Sequence, residues 1–366
     1  MLKTADLEAA VDAGIVTRAN ADALIDFART RRAALTARTS EDERFRFLKG
    51  FNDVFLTTGV VLIIFALFFM QGAAVRGSSL GVLSLPIAAA VMWGLSEVLV
   101  AKKKAVLPGI VLSAAFALFA GMAGSLLAGY WGFTTSLVRG YPGLAMVAGL
   151  FAALVAAIFY YARFQFPFAL LLIAGTATAA VLSTVAYALA LNNAAVARDL
   201  WAVAPSFLST LSILAFMSGL AVFAAAMWFD ASDPERLTRR ADCGFWLHLA
   251  AAPLIVHPLV SQLGQGGQAS PGYAFAVFAL VAALAIVALA IDRRAILVAS
   301  LAYLIAALSY LLKSGTMPGT GNFIIPLVLV GSFVLFLGLS WRPLRARVLA
   351  PFKDSPLLRK LPPLHT

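Results

Sequence analysis

The sequence predicts an all-α, polytopic helical membrane protein with about ten transmembrane helices, both termini cytoplasmic, preceded by a small cytoplasmic helical hairpin. Three observations predict it. Of 366 residues, 62% are hydrophobic and 12% charged, whereas soluble domains carry roughly 25% charged residues. Apolar runs recur that match the ~20 residues a helix needs to cross a hydrocarbon core about 30 Å thick. The basic residues, finally, alternate from loop to loop in step with one topology.

The first 50 residues form the hairpin and a basic linker. Leu7, Ala10 and Val11 line one face of a first helix, Gly14 suits its end, and Thr17 is placed to cap a second helix running through Leu24, Ile25 and Ala28. Two such short helices bury little, so the hairpin is expected to dock on the membrane domain or on a cytoplasmic protein partner. Arg29, Arg31, Arg32, Arg38, Arg44, Arg46 and Lys49 then lead to the bilayer. They read either as a topogenic linker near anionic headgroups or as a regulatory docking element. No short apolar run with a small-residue cleavage site is found ahead of the first span, which is therefore expected to act as the insertion signal itself.

Residues 51–341 hold the membrane domain, with spans expected at 52–70, 79–100, 105–129, 141–162, 166–190, 205–229, 243–262, 271–291, 295–312 and 322–341. With the N-terminus, alternate loops and tail placed inside, 24 of the 28 Lys and Arg fall on the cytoplasmic side. Basic residues resist translocation, so this bias supports the span count and the orientation together. It also gives the net charge of +11 a topogenic cause and removes nucleic acid as an expected partner. The tail, 342–366, is basic and Pro-rich and is expected to lie along anionic headgroups of the cytoplasmic leaflet.

Four hairpins turn on that side. Three turns are very short, and the fourth, "DASDPERLTRRADC", is longer; Asp233 there is placed to cap a short helix starting at Pro234, on which Glu235 and Arg239 would pair. The helix pairs look like variations on one unit, while the loop Leu191 to Ala204 divides ten spans into two groups of five with opposite orientation, the arithmetic of an inverted-repeat transporter.

Motifs of soluble enzymes are missing: there is no phosphate-binding P-loop, metal-binding H-E-x-x-H or nucleophile elbow, and three histidines with one cysteine make no evident metal centre. No enzyme activity and no cofactor or metal is expected. Span three carries Ser113, Ala117, Gly121, Ser125 and Gly129 at intervals of four, a strip of small residues suited either to close helix packing or to lining a passage. Ionisable residues at membrane depth are costly and few, hence informative. Asp53 reads as a helix-start carboxylate or a site residue, and Glu97 as an interfacial carboxylate near Lys102 to Lys104 or a site residue. His248 and His257 lie deeper, as neutral hydrogen-bonded rings or as proton carriers. They are nine residues apart, which puts them on opposite faces and ~13.5 Å apart in a straight helix. Pro253 and Pro258 are expected to break span seven and so turn both rings inward, with His257 in a polar pocket and His248 nearer the cytoplasmic exit.

"FNDVF" entering span one and "RRADCGFWLHLAAAPLIVHPL" entering span seven resemble segments of uncharacterised polytopic bacterial inner-membrane proteins with a short N-terminal helical hairpin, a domain-of-unknown-function class. The resemblance implies a multi-pass bacterial inner-membrane protein and assigns no catalytic residue. Two functions compete: a secondary transporter or exporter of an unknown small solute, proton-coupled through the span-seven histidines, and a non-transporting scaffold or sensor acting through the hairpin and the basic tail.

Overall fold

In lipid each backbone amide must find its partner within its own segment, so a long apolar stretch has little alternative to a continuous helix. The computed structural model describes residues 10–27, 51–74, 81–134, 142–192, 205–263, 271–294 and 321–352, together with 296–297, 300–301, 303–306, 308 and 362. The chain separates into two compact units, Met1–Lys49 and Gly50–Thr366.

In the first unit a helical turn ends at Gly14, whose φ of 71° is left-handed and whose N–H donates to the Val11 carbonyl at 3.0 Å. A second helix follows over 18–27. The Thr17 hydroxyl accepts the Asn20 amide at 3.4 Å, the N-cap arrangement.

Apart from short connections, the described residues of the second unit are helical: α1 (Phe51–Ala74), α2 (Gly81–Ser96), α3 (Val106–Thr134), α4 (Pro142–Phe164), α5 (Phe168–Asn192), α6 (Pro205–Ser232), α7 (Arg239–Leu263), α8 (Pro271–Ile291), α9 (Gly321–Leu339) and α10 (Trp341–Leu349). Helical residues between 296 and 308 lie between α8 and α9. Among the described residues, α1, α3 to α7, and α2 together with the π-helical turn Glu97–Lys102 that continues it are each long and apolar enough to cross a membrane. An eighth crossing is counted if α9 and α10, bent 71° from one another at Ser340, are taken as one span. The tenth span, expected to run straight to 341, thus stops at Leu339, and the tail begins as a helix that turns aside.

Packing is closest between α3 and α4 and between α6 and α7. Lipid offers no hydrophobic drive between helices, so contact relies on backbones that approach closely. The strip on α3 supplies one such surface. A side chain at Gly149 of α4 would press on the Gly121 carbonyl at 2.8 Å and on Ser125, and one at Gly121 would meet Ala153 and the Gly149 carbonyl at 3.1 Å. Ser113 and Ala117 are buried in the same bundle, whereas Gly129 faces open space. Gly121 and Ser125 thus take part in the α3–α4 contact.

Contacts between Glu97 and Arg163, Phe168 and Trp246, and Asp230 and Arg293 bring the short connections 103–105, 165–167, 233–238 and 292–294 to one side, the turn face. Each contains one non-glycine residue in the left-handed region: Lys104, Gln165, Arg236 and Asp292. The helix expected from Pro234 does not form. Instead the Asp233 carboxylate accepts the amides of Leu237 (3.2 Å) and Thr238 (2.8 Å), and α7 starts at Arg239. With Arg236 in a left-handed turn, the i, i+4 spacing that would have paired Glu235 with Arg239 on a helix is lost.

The break expected at Pro253 and Pro258 is likewise corrected: α7 is one continuous helix, Arg239–Leu263, with both prolines inside it. A proline ring already has a helical φ, and each costs one ladder bond locally. The neighbouring turns, extensively buried in the bundle, carry the helix through.

Candidate functional site

Two helices, α6 and α7, and the turn after α8 bring a charged cluster together at the turn face. Asp230 lies two residues before the end of α6. Opposite it on α7, Gly244 and His248 are four residues apart and share a face. Gly244 makes the approach feasible, because a Cβ there would collide with the Asp230 carboxylate. The third member, Arg293, comes from the turn that follows α8.

Arg293 grips Asp230 with two bonds, Nε to Oδ2 at 3.0 Å and an Nη2 bond to Oδ1 at 2.5 Å, and Nη2 also donates to the Ala241 carbonyl at 3.0 Å. His248 Nε2 lies 3.0 Å from Asp230 Oδ2. All three side chains are shut from solvent, His248 at 0%, Asp230 at 5% and Arg293 at 3% exposure. A carboxylate facing Nε2 places the proton of a neutral ring on that nitrogen. Nδ1 is then a buried acceptor without a partner among the described residues, and the Phe223 ring packs edge-on against the imidazole at 5.3 Å. With His248 neutral the cluster carries no net charge. One further proton, on Asp230 or on His248, would leave it with a buried positive charge.

A second set of contacts surrounds Asp292, next in sequence to Arg293. Its Oδ2 accepts from Arg236 at 3.1 Å and its Oδ1 from the Trp341 indole at 2.6 Å. Arg236 also donates to the backbone carbonyls of Ile291 (3.3 Å) and Asp292 (2.7 Å), and Arg345 to that of Leu289 (3.2 Å) and of Pro362 (2.7 Å). Arg294 stacks over the Trp341 ring at 4.9 Å.

Of the residues singled out in the sequence, only His248 belongs to this cluster. His257, expected in a polar pocket apart from His248, is exposed on α7 and pairs with the Tyr303 hydroxyl, 2.5 Å from Nδ1. Glu97 opens a π-helical segment, Glu97–Lys102, and bonds Arg163 of α4 at 2.7 Å; its observed partner is on another helix rather than in Lys102 to Lys104. Asp53 is buried in the first turn of α1, with Oδ2 unpartnered among the described residues. Sequence reasoning ended span six at 229, which put Asp230 into a loop, and it counted Arg293 among the topogenic charges. The usable signal was a carboxylate directly abutting an apolar run, "AMWFD".

Fold and site together define a multi-pass α-helical integral membrane protein with a buried, charge-balanced cluster at one end of its bundle. Searches against protein families, curated proteins and solved structures return no match.

Proposed function

We propose that this protein is a carrier of a small solute, set in a bacterial inner membrane with the turn face toward the cytoplasm, and that Asp230, Arg293 and His248 form its cytoplasmic gate and proton-handling group. The observation carrying this reading is the burial of an acid, a guanidinium and an imidazole in one mutually bonded cluster at the end of the bundle. Ionisable groups at such depth are expensive and are retained where they bind or move charge. Arg293 is tied to Asp230 by charge, so a proton taken up by the cluster weakens the tie that closes the face. Orientation is supported by the 24 of 28 basic residues that fall on the turn side of the expected topology.

The competing reading, a scaffold whose cluster is a static clamp, draws support from a cavity between α8 and α9 lined wholly by apolar side chains, Phe278, Val281, Leu304, Leu329, Val330 and Phe333 among them. Reconstitution decides. Liposomes containing a pH-sensitive dye are challenged with panels of carboxylates, amino acids, sugars and cations, and the thermal stability of the purified protein is followed in parallel, since a ligand of the folded state must raise it. A carrier gives a solute-driven pH change that Asp230→Asn abolishes while the protein stays folded. If no solute alters either pH or melting temperature, the clamp reading stands instead.

A further inference from the structure

The turn after α8 faces two ways. Arg293 reaches inward to Asp230, while Asp292, one residue earlier, reaches outward to Trp341 and Arg236. The direction of Arg293 is set by the backbone just before it. Asp292 has a φ of 58°, and the Arg293 N–H closes the end of α8 on the Ala288 carbonyl at 2.9 Å. A left-handed non-glycine residue persists only where its surroundings fix it. Here α10 does much of the fixing. Trp341 holds the Asp292 side chain, Arg345 holds the Leu289 carbonyl, and Trp341 is buried against the end of α8 with Leu344 and Val348 packed on the same cluster. The 71° bend at Ser340 is what lays α10 across this turn.

We infer that α10 is a strap that positions Arg293: Trp341 and Asp292 are positioning residues that hold the α8 turn in the one geometry from which the guanidinium reaches Asp230, so release of α10 withdraws Arg293 and unlocks the cluster. The inference rests on the gate reading above. It makes the C-terminal helix the control element of the gate, open to anything that competes for its face.

The protein contains its own reporter. Cys243 is the single cysteine, buried on α7 with its thiol paired with Tyr161 of α4; it adjoins Gly244, which packs on Asp230, so its exposure follows displacement of this end of α7 from the cluster. Full-length protein in nanodiscs is exposed to a charged, membrane-impermeant maleimide, and the rate of Cys243 labelling is read by mass. Arg293→Gln leaves a buried carboxylate without its cation and is expected to raise the rate by roughly 100-fold or more. Trp341→Phe keeps the ring and deletes one hydrogen bond, and is expected to raise it roughly threefold to tenfold, with Asp292→Asn acting in the same direction. Because α10 acts through Arg293, the double variant Trp341→Phe/Arg293→Gln should label no faster than Arg293→Gln alone.

Wild-type labelling in both Trp341→Phe and Asp292→Asn, beside fast labelling in Arg293→Gln, overturns the strap and spares the gate. So does a double variant whose rate is the product of the two single effects. Wild-type labelling in Arg293→Gln itself overturns both. Size-exclusion profiles check that each variant is folded, and the two independent variants at 341 and 292 keep the test decisive if one is not.

Discussion

Asp230 owes its place to a residue with no side chain. Gly244 leaves room for the carboxylate between α6 and α7, so Gly244→Ala must push Asp230 off both Arg293 and His248. Overpacking of this kind costs about 1–3 kcal/mol, and a lowered melting temperature in nanodiscs would register it. The ion pair itself is expected to be strongly non-additive. Either Asp230→Asn or Arg293→Gln strands a buried partner at a cost of about 3–5 kcal/mol, whereas the double variant removes both charges and should recover much of that loss. A double variant as unstable as the sum of the singles would show that the two residues do not depend on one another. None of this was legible from local pattern, because Asp230 and Arg293 lie 63 positions apart. A carboxylate at a helix end and an arginine in a turn are ordinary features until the fold brings them within bonding distance.

At the level of helices, much more could be read in advance. Span placement depends on length and apolarity, which a sequence displays directly, and α1 to α7 fall where the apolar runs are. The spacing of small residues on α3 also translated into a physical surface, and it yields a paired expectation. Gly149→Val should destabilise the bundle by about 1–3 kcal/mol, since the added carbons meet the α3 backbone. Gly129→Val, at a position with nothing within 4 Å, should leave the melting temperature unchanged. Equal effects at the two positions would remove the case for a close α3–α4 contact. Two features escaped the sequence for identifiable reasons. Prolines suggested a break in α7, but surrounding turns compensated for the missing amides. The bend at Ser340 accompanies the Trp341–Asp292 hydrogen bond, a contact across 49 positions.

For the molecule as a whole, the polar ties repeat. Glu97 at the end of α2 is bonded to Arg163 at the end of α4, and Asp230 near the end of α6 to Arg293 after α8, over separations of 66 and 63 residues. Both pairs sit on the turn face and both join one hairpin to the next. In each pair the acid precedes its base and belongs to the earlier hairpin. The orientation itself has a direct test. Truncation fusions ending after Lys103, Ser232 and Arg293, and a fusion at the C-terminus, should report from the cytoplasm; those ending after Gly77, Gly140, Asn193, Gln265 and Gly319 should report from the opposite side. An externally placed C-terminus would give the wrong parity for ten spans.

The order in which these partners are made has a consequence for biogenesis. Asp230 leaves the ribosome 63 residues ahead of Arg293 but only 18 ahead of His248. At roughly 5–20 residues per second, the carboxylate waits about 3–13 s for its guanidinium and about 1–4 s for the imidazole. His248 is thus the first group able to shelter Asp230 while the α6–α7 hairpin is already entering lipid. Nascent chains stalled once His248 has left the ribosome but before Arg293 has done so should rely on His248 to shelter Asp230, and His248→Leu should lower the inserted fraction of those stalled chains far more than that of the finished protein.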